Sequence, residues 1–274
     1  RAAADNLTPV TLELGGKSPA IIHPDFPAAE AARRLAFGKG MNAGQICVSP
    51  DYVLCHEDQV SEFVSAFSAT VEKAYPTLTS NQDYTAIISD RQKQRLEGYL
   101  EDARAKGARV IPINPAGEDV SGTRKMPMTL VLNATADMLV MREEIFGPIL
   151  PVLGYRHLEQ ALRQVRQRSR PLALYYFDWD KKRANHILQH THSGGVCIND
   201  TLSHVAADDI PFGGIGDSGM GHYHGKEGFL TFSKTKGVVR KGRINLAAMV
   251  APPWGNTLFR LMMAINALRF RHIK

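Results

Sequence analysis

The sequence predicts an α/β fold, a largely parallel sheet flanked by helices. Three observations carry this. Short apolar runs alternate with longer amphipathic stretches through the middle of the chain. The amphipathic stretches place their apolar residues near helical spacing. The run at 172–177 (LALYYF) is apolar throughout, as a strand buried on both faces must be. Strands that alternate with helices give parallel sheets.

In chain order, residues 10–14 (VTLEL) and 20–22 are predicted strands. Residues 28–37 are a predicted helix, opening after Pro27 and carrying Arg33 and Arg34 on its wet side. A short strand follows at 52–55. Residues 60–74 form a helix whose apolar positions are Val60, Phe63, Val64, Phe67 and Val71. Residues 91–106 are a charged helix stopped by Gly107, and a strand follows at 109–113. Further strands are predicted at 129–132, 149–153, 172–177 and 196–199, with helices at 158–165 and 181–190. No internal repeat or low-complexity stretch interrupts the series.

The chain of 274 residues is long enough to bury a sizeable core. Its 44% hydrophobic and 22% charged content excludes wholesale disorder. No apolar run reaches membrane-spanning length, so no transmembrane helix is expected. The N-terminus lacks the pattern of a signal peptide and begins without Met, which suggests that a segment lies upstream. Cys47, Cys55 and Cys197 are too scattered for a disulfide framework or a zinc cage, so a reducing, cytoplasmic setting is expected. The net charge of +6 is uneven. From Gly228 onward there is no Asp or Glu but there are nine of the 33 Lys and Arg residues, leaving 24 basic against 27 acidic groups in the body. No nucleic-acid partner is therefore expected, and only the tail is basic.

Three motifs carry potential chemistry. In Leu12-Glu13-Leu14-Gly15-Gly16-Lys17-Ser18-Pro19, a carboxylate ends a strand, and paired glycines allow a tight turn that can present it to a cavity. Alone, Glu13 suits a structural role as well as a catalytic one. In Asn42-Ala43-Gly44-Gln45-Ile46-Cys47, a cysteine follows a helix where the chain must turn, a place where backbone N–H groups can stabilise a thiolate. The competing reading is a buried, inert cysteine, which is the reading given to Cys55 and Cys197. In Glu143-Glu144-Ile145-Phe146-Gly147-Pro148, paired acids precede an aromatic residue and a Gly-Pro break, by itself an ordinary solvated turn.

Together these motifs resemble the aldehyde dehydrogenase superfamily. LELGGKSP is similar to its glutamate signature and GQIC to its cysteine signature, and the 34-residue gap from Glu13 to Cys47 suits it. EEIFGP is similar to its cofactor-ribose motif, and residues 211–221 (PFGGIGDSGMG) to its C-terminal glycine-rich motif. YHGKEGF at 223–229 with TFSK at 231–234 resembles the class 3 branch, especially its coniferyl-aldehyde-oxidising members.

The resemblance implies that Cys47 is the nucleophile and Glu13 the general base of an NAD- or NADP-dependent oxidation of an aldehyde to an acid. It implies that Glu144 and Phe146 contact the nicotinamide ribose, that the backbone N–H of Cys47 is an oxyanion donor, and that Asn199 orients active-site groups. Asn199 also has a plain reading as a strand-ending turn residue. The substrate would be an aromatic aldehyde such as coniferyl aldehyde, or a medium-to-long aliphatic one. The implied domains are 1–15, the end of a cofactor-binding domain; 16–227, catalytic; 228–240, with an oligomerisation strand at 234–239; and 241–274, a basic amphipathic tail. The family's second oxyanion donor and its adenine-ribose site lie upstream of anything in this sequence. The chain thus reads as a C-terminal portion, and a homodimer or homotetramer is expected.

Other patterns have plainer explanations. Gly214 to Gly219 matches G-x-G-x-x-G, but no strand precedes it and no acid follows at the spacing a dinucleotide fold needs. His186, His190 and His192 lack the intervening carboxylate of a metalloprotease helix, and no metal is expected. Lys17 reads as a partner for a nearby carboxylate or carbonyl. Residues 256–273 can be drawn as a helix with Leu258, Leu261, Met262, Ile265 and Leu268 on one face, suited to a partner subunit or to peripheral membrane contact through 244–274. Three functions compete with the leading one: thioester transfer to coenzyme A, a catalytically impaired scaffold, and a cofactor-independent thiol esterase. Retention of both Glu13 and Cys47 favours the dehydrogenase.

Overall fold

The computed structural model describes residues 1–243, 252 and 254–271, and the chain divides into two units, Arg1–Phe232 and Ser233–Lys274. In the first unit the elements are α1 (Ala2–Asp5), β1 (Leu12–Glu13), β2 (Pro19–Ile22), α2 (Ala28–Gly40), β3 (Tyr52–His56), α3 (Val60–Ala74), α4 (Asp90–Ala105), β4 (Arg109–Ile113), β5 (Met128–Leu132), α5 (Leu139–Arg142), β6 (Ile149–Tyr155), α6 (Leu158–Arg166), β7 (Ala173–Phe177), α7 (Lys181–His190), β8 (Gly195–Ile198), α8 (Ser203–Ala206), β9 (Gly219–Met220) and α9 (Gly225–Thr231).

Seven strands form one sheet in the order β4-β5-β6-β3-β2-β7-β8. Every neighbouring pair is parallel except β4–β5. The exception sits at the edge, where Pro112, which cannot donate a ladder hydrogen bond, is tolerated. Strand side chains alternate between two buried layers, as a period of two requires. Ala20, Ile22, Val53, Cys55, Tyr175 and Phe177 face α2 and α3, meeting Leu35, Phe63 and Phe67. Ile21, Leu54, Leu174 and Tyr176 face the other side, with Leu96 of α4, Leu162 of α6 and Ile187 of α7. The sheet is thus buried on both faces, as the apolar runs predicted.

Differences from expectation have local causes. The strand predicted at 10–14 shrinks to Leu12–Glu13, because its partner β9 offers only two residues in antiparallel register. Helix α2 continues past 37 to Gly40. Its glycines are contact points here rather than breakers: a Cβ at Gly38 would stand 2.4 Å from Thr201 Oγ1, and one at Gly40 3.0 Å from the Tyr75 hydroxyl.

In the second unit, 234–239 carries no strand within the single chain, and the expected strand is one shared between subunits. A strand exists by pairing, and among the described residues of this unit no other strand is present to pair with. Helix α10 (Thr257–Arg269) is capped by Asn256, whose side chain accepts the Phe259 N–H at 2.8 Å, and it buries none of its residues. The remainder of the predicted tail helix, 272–273, and residues 244–251, 253 and 274 lie outside the described residues.

Candidate active site

Glu13 is placed by β1, which pairs with β9 from the glycine-rich segment 211–221. That pairing needs Gly219: its φ is +141°, and a Cβ would approach Leu12 O to 2.1 Å. G-x-G-x-x-G is therefore a loop that supports the Glu13 strand, with Ser218 Oγ accepting from Ile215 N–H at 2.9 Å. After Glu13 the chain turns through Gly15 at φ +71°, where a Cβ would lie 2.7 Å from Glu144 Oε1. Two successive amides then each hold one carboxylate. Gly15 N–H donates to Glu13 Oε1 at 3.0 Å, and Gly16 N–H to Glu144 Oε1 at 3.0 Å. The glutamate and cofactor-ribose motifs, 128 residues apart, meet here.

Cys47 follows α2 through a turn in which Asn42, Ala43 and Gly44 are all left-handed (φ 49°, 50° and 72°). Gly44 admits no other residue without strain, since its Cβ would stand 2.4 Å from Gly147 O of the EEIFGP segment. Gln45 pins the turn, donating to Asn42 O at 3.0 Å and to Ala86 O at 3.1 Å while accepting Ile88 N–H at 2.9 Å. The backbone N–H groups of Cys47 and Val48 do stabilise a Cys47 thiolate. Burial, together with the carboxylates of Glu13 and Glu144, outweighs them and pushes the thiol up to about 11. The expected N–H groups are thus present, opposed by burial and by the two carboxylates. Cys55 is wholly buried and pushed up to about 12, chiefly by desolvation; Cys197 is buried too, its Sγ 2.9 Å from Ser203 Oγ.

Beneath these groups lies a charged scaffold that sequence reasoning missed apart from Lys17. Lys17 Nζ pairs with Asp51 and donates to Val140 O at 2.9 Å and Glu143 O at 2.7 Å. Asp51, four residues after Cys47, accepts Ile145 N–H at 2.9 Å. Lys39 is 1% exposed. Burial lowers its ammonium to about 8, with Asp51 and Glu144 holding it up and Lys17 pushing it down. The phenol of Tyr223 is raised by burial and by Glu13 and Cys47, which places it at the same site. Asp51 and Lys39 had no sequence signal beyond closeness to motifs, Asp51 after the cysteine and Lys39 between two helix glycines, while Tyr223 opens the YHGKEGF stretch without a role assigned to it.

Two cavities flank the thiol and the ribose motif. One, of about 400 Å³, is lined by Phe37, Met41, Ile46, Val48, Leu202 and Val205, and Ile46 and Val48 bracket Cys47 in sequence. The other, also about 400 Å³, is lined by Lys17, Arg142, Glu144 and Arg168 together with the apolar Ala136 and Met141. Burial raises the Glu144 carboxyl above its usual range, with the Gly16 N–H opposing. Phe146 is 42% exposed and left-handed at φ 52°. The structure thus brings Glu13, Cys47 and Glu144 together. Asn199 is engaged elsewhere: just past β8, at φ 59°, its Oδ1 accepts Asp178 N–H at 2.7 Å and its Nδ2 donates to Asp178 O at 2.8 Å.

Residues 1–238 match the aldehyde dehydrogenase family. The chain belongs to the aldehyde dehydrogenase family. It is 60% identical over 262 residues to a probable coniferyl aldehyde dehydrogenase of Pseudomonas aeruginosa, covering 96% of this chain and 54% of that protein. It is 40% identical over 255 residues to the dimeric NADP-preferring aldehyde dehydrogenase of Rattus norvegicus, covering 92% and 54%. Among solved structures it resembles the substrate-bound AldH of Staphylococcus aureus, with a TM-score of 0.87 at 38% identity, covering 97% of this chain and 57% of that one. This aldehyde dehydrogenase chain spans about half the length of the curated relatives it matches.

Proposed function

We propose that the chain serves an NAD- or NADP-dependent oxidation of aldehydes to carboxylic acids, with Cys47 as nucleophile and Glu13 as general base. The observation that carries this reading is the convergence of Cys47, Glu13 and Glu144 at one site, felt by the thiol as two carboxylates raising its pKa.

An aldehyde hydrogen does not leave as hydride until a nucleophile has added to the carbonyl. The Cys47 sulfur adds as thiolate, and the backbone N–H of Cys47 faces the oxygen on which charge develops. Glu144 and Phe146 would hold the nicotinamide ribose: Glu144 is fixed through Oε1 by Gly16 and lines the second cavity, where its carboxylate suits a diol-bearing sugar. Bound there, NAD(P)+ supplies the hydride acceptor. The thioester left on Cys47 is resolved by water that Glu13 deprotonates, and sulfur departs as the leaving group. Asn199 anchors the turn leading to Leu202, which walls the apolar cavity.

That cavity supports an aromatic or medium-to-long aliphatic substrate, in keeping with the name of the Pseudomonas relative. A homodimer or homotetramer is supported by exposed Phe232, Val238 and Val239 and by the dimeric rat relative. Three free cysteines suit a reducing, cytoplasmic setting, and among the described residues no helix is long and apolar enough to cross a membrane.

The test is NAD(P)H formation by this chain with coniferyl aldehyde and with hexanal. Signal that disappears in Cys47→Ser upholds the reading. Ester hydrolysis that needs Cys47 but is indifferent to NAD+ replaces it with a thiol esterase.

A further inference from the structure

The loop bearing Glu144 and Phe146 is locally costly, and a side chain outside all the motifs holds it. A left-handed Phe146 persists only where its surroundings over-determine it. Between α5 and β6 this segment has no regular structure, so its carbonyls need partners from elsewhere. Arg95, in the second turn of α4, provides them. Its Nη1 donates to Glu144 O at 3.1 Å and its Nη2 to Ile145 O at 2.6 Å. The guanidinium is itself fixed. Nε donates to Gln92 Oε1 at 2.6 Å, Nη1 donates to the Tyr99 hydroxyl at 2.9 Å, and the group lies 5.0 Å over the Tyr99 ring. Gln92 and Tyr99 are three residues before and four after Arg95, so one helix face orients the fork. The neighbouring Leu96 completes the seat: a Cβ at Gly147 would stand 2.5 Å from its Cδ1.

We propose that Arg95 is a positioning residue for the cofactor-ribose acid. By fixing the carbonyls of Glu144 and Ile145, it sets the direction of the Glu144 carboxylate and the turn at Phe146. It thereby sets affinity for the nicotinamide cofactor without touching the reacting atoms. This rests on the role given to Glu144 above. Lys17 and Asp51 hold the same loop from the sheet side, but Asp51 also belongs to the Cys47 segment, so its loss disturbs the nucleophile too. Among the described residues the hydrogen bonds of Arg95 go only to α4 and to the loop, which makes its effect separable.

The experiment compares Arg95→Met and Arg95→Lys with the unaltered chain; a lysine cannot fork to two carbonyls. In Arg95→Met, amide hydrogen exchange in a peptide covering 139–148 accelerates by roughly tenfold or more, while a peptide covering 41–51 is unchanged. The Kd for NAD+ by calorimetry, and KM for NAD+, rise about tenfold, whereas kcat and KM for aldehyde stay within about twofold; Arg95→Lys falls between. Unchanged exchange at 139–148 overturns the proposal. So does a fall in kcat with no change in Kd or KM for NAD+, which marks a merely structural residue. If the unaltered chain neither binds nor reduces NAD+, cofactor affinity is not a property of this half-length chain alone, and the exchange result decides whether Arg95 holds the loop.

Discussion

At Cys47, two opposed electrostatic influences meet. Its own N–H and that of Val48 favour the anion, but burial, Glu13 and Glu144 favour the neutral form, and the result is about 11. Glu13 is then asked both to raise the barrier to thiolate formation at rest and to activate water later. Removing its charge should separate those roles. In Glu13→Gln, the midpoint of the pH profile for iodoacetamide alkylation of Cys47 falls, and the rate near pH 8 rises roughly three- to tenfold. Aldehyde turnover meanwhile drops about 100-fold or more, because the water has lost its base. A structural carboxylate would leave turnover unchanged, and a distant one would leave alkylation unchanged. Lys39 makes a second residue-scale prediction. Its pKa is 10.5 in an unfolded chain and about 8 when folded, chiefly through burial. Between those values the unfolded chain holds a proton that the folded one has released, so stability gained from Lys39 rises with pH across that window. The difference in unfolding free energy between the unaltered chain and Lys39→Met should therefore grow by roughly 3 kcal/mol from about pH 7.5 to pH 10.5, measured by denaturant titration at each pH.

The three motifs are assembled by elements that exclude side chains at their contacts. Gly15 meets the Glu144 carboxylate, Gly44 meets Gly147 O, and Gly219 meets Leu12 O. Gly44→Ala should cost roughly 2–4 kcal/mol, the left-handed penalty plus displacement of the EEIFGP loop, read as a lower denaturation midpoint together with slower Cys47 chemistry. Gly98→Ala is the contrasting case. It lies inside α4 with nothing within 4 Å of the added Cβ, so it should stabilise the chain by about 0.5–1 kcal/mol. This difference explains what was legible beforehand. The helices at 60–74 and 181–190 and the strand at 109–113 were readable because period and composition are local properties. The meeting of Glu13, Cys47 and Glu144 was suggested only by family resemblance, because no local pattern encodes contact across 128 residues of chain. The scaffold of Asp51, Lys39 and Arg95 left almost no trace, since a buried charge and a surface charge are written with the same letters.

At the scale of the whole molecule, the unit from 233 to 274 poses a problem of burial. A helix as short as α10 is marginal in water by itself, and Leu258, Leu261, Ile265 and Leu268 form an exposed stripe at spacings of three and four. Such a stripe is stable when something covers it. A second copy of the chain and an anionic membrane surface make opposite demands on the nine basic residues from Gly228 onward. A second copy must keep them at the rim or pair them with the net acidic body, whereas a membrane draws them to its headgroups. The acidic excess of the body, 27 against 24, favours a second copy. The chain should therefore run as a dimer or tetramer by light scattering. A version ending at Phe232 should run as a monomer that still unfolds cooperatively, because the seven-stranded sheet and both its helical layers lie before that point. Equal oligomeric mass for the two would remove the tail from the interface. Salt-sensitive pelleting with phosphatidylserine vesicles, lost on deleting 244–274, would assign the stripe to the membrane instead.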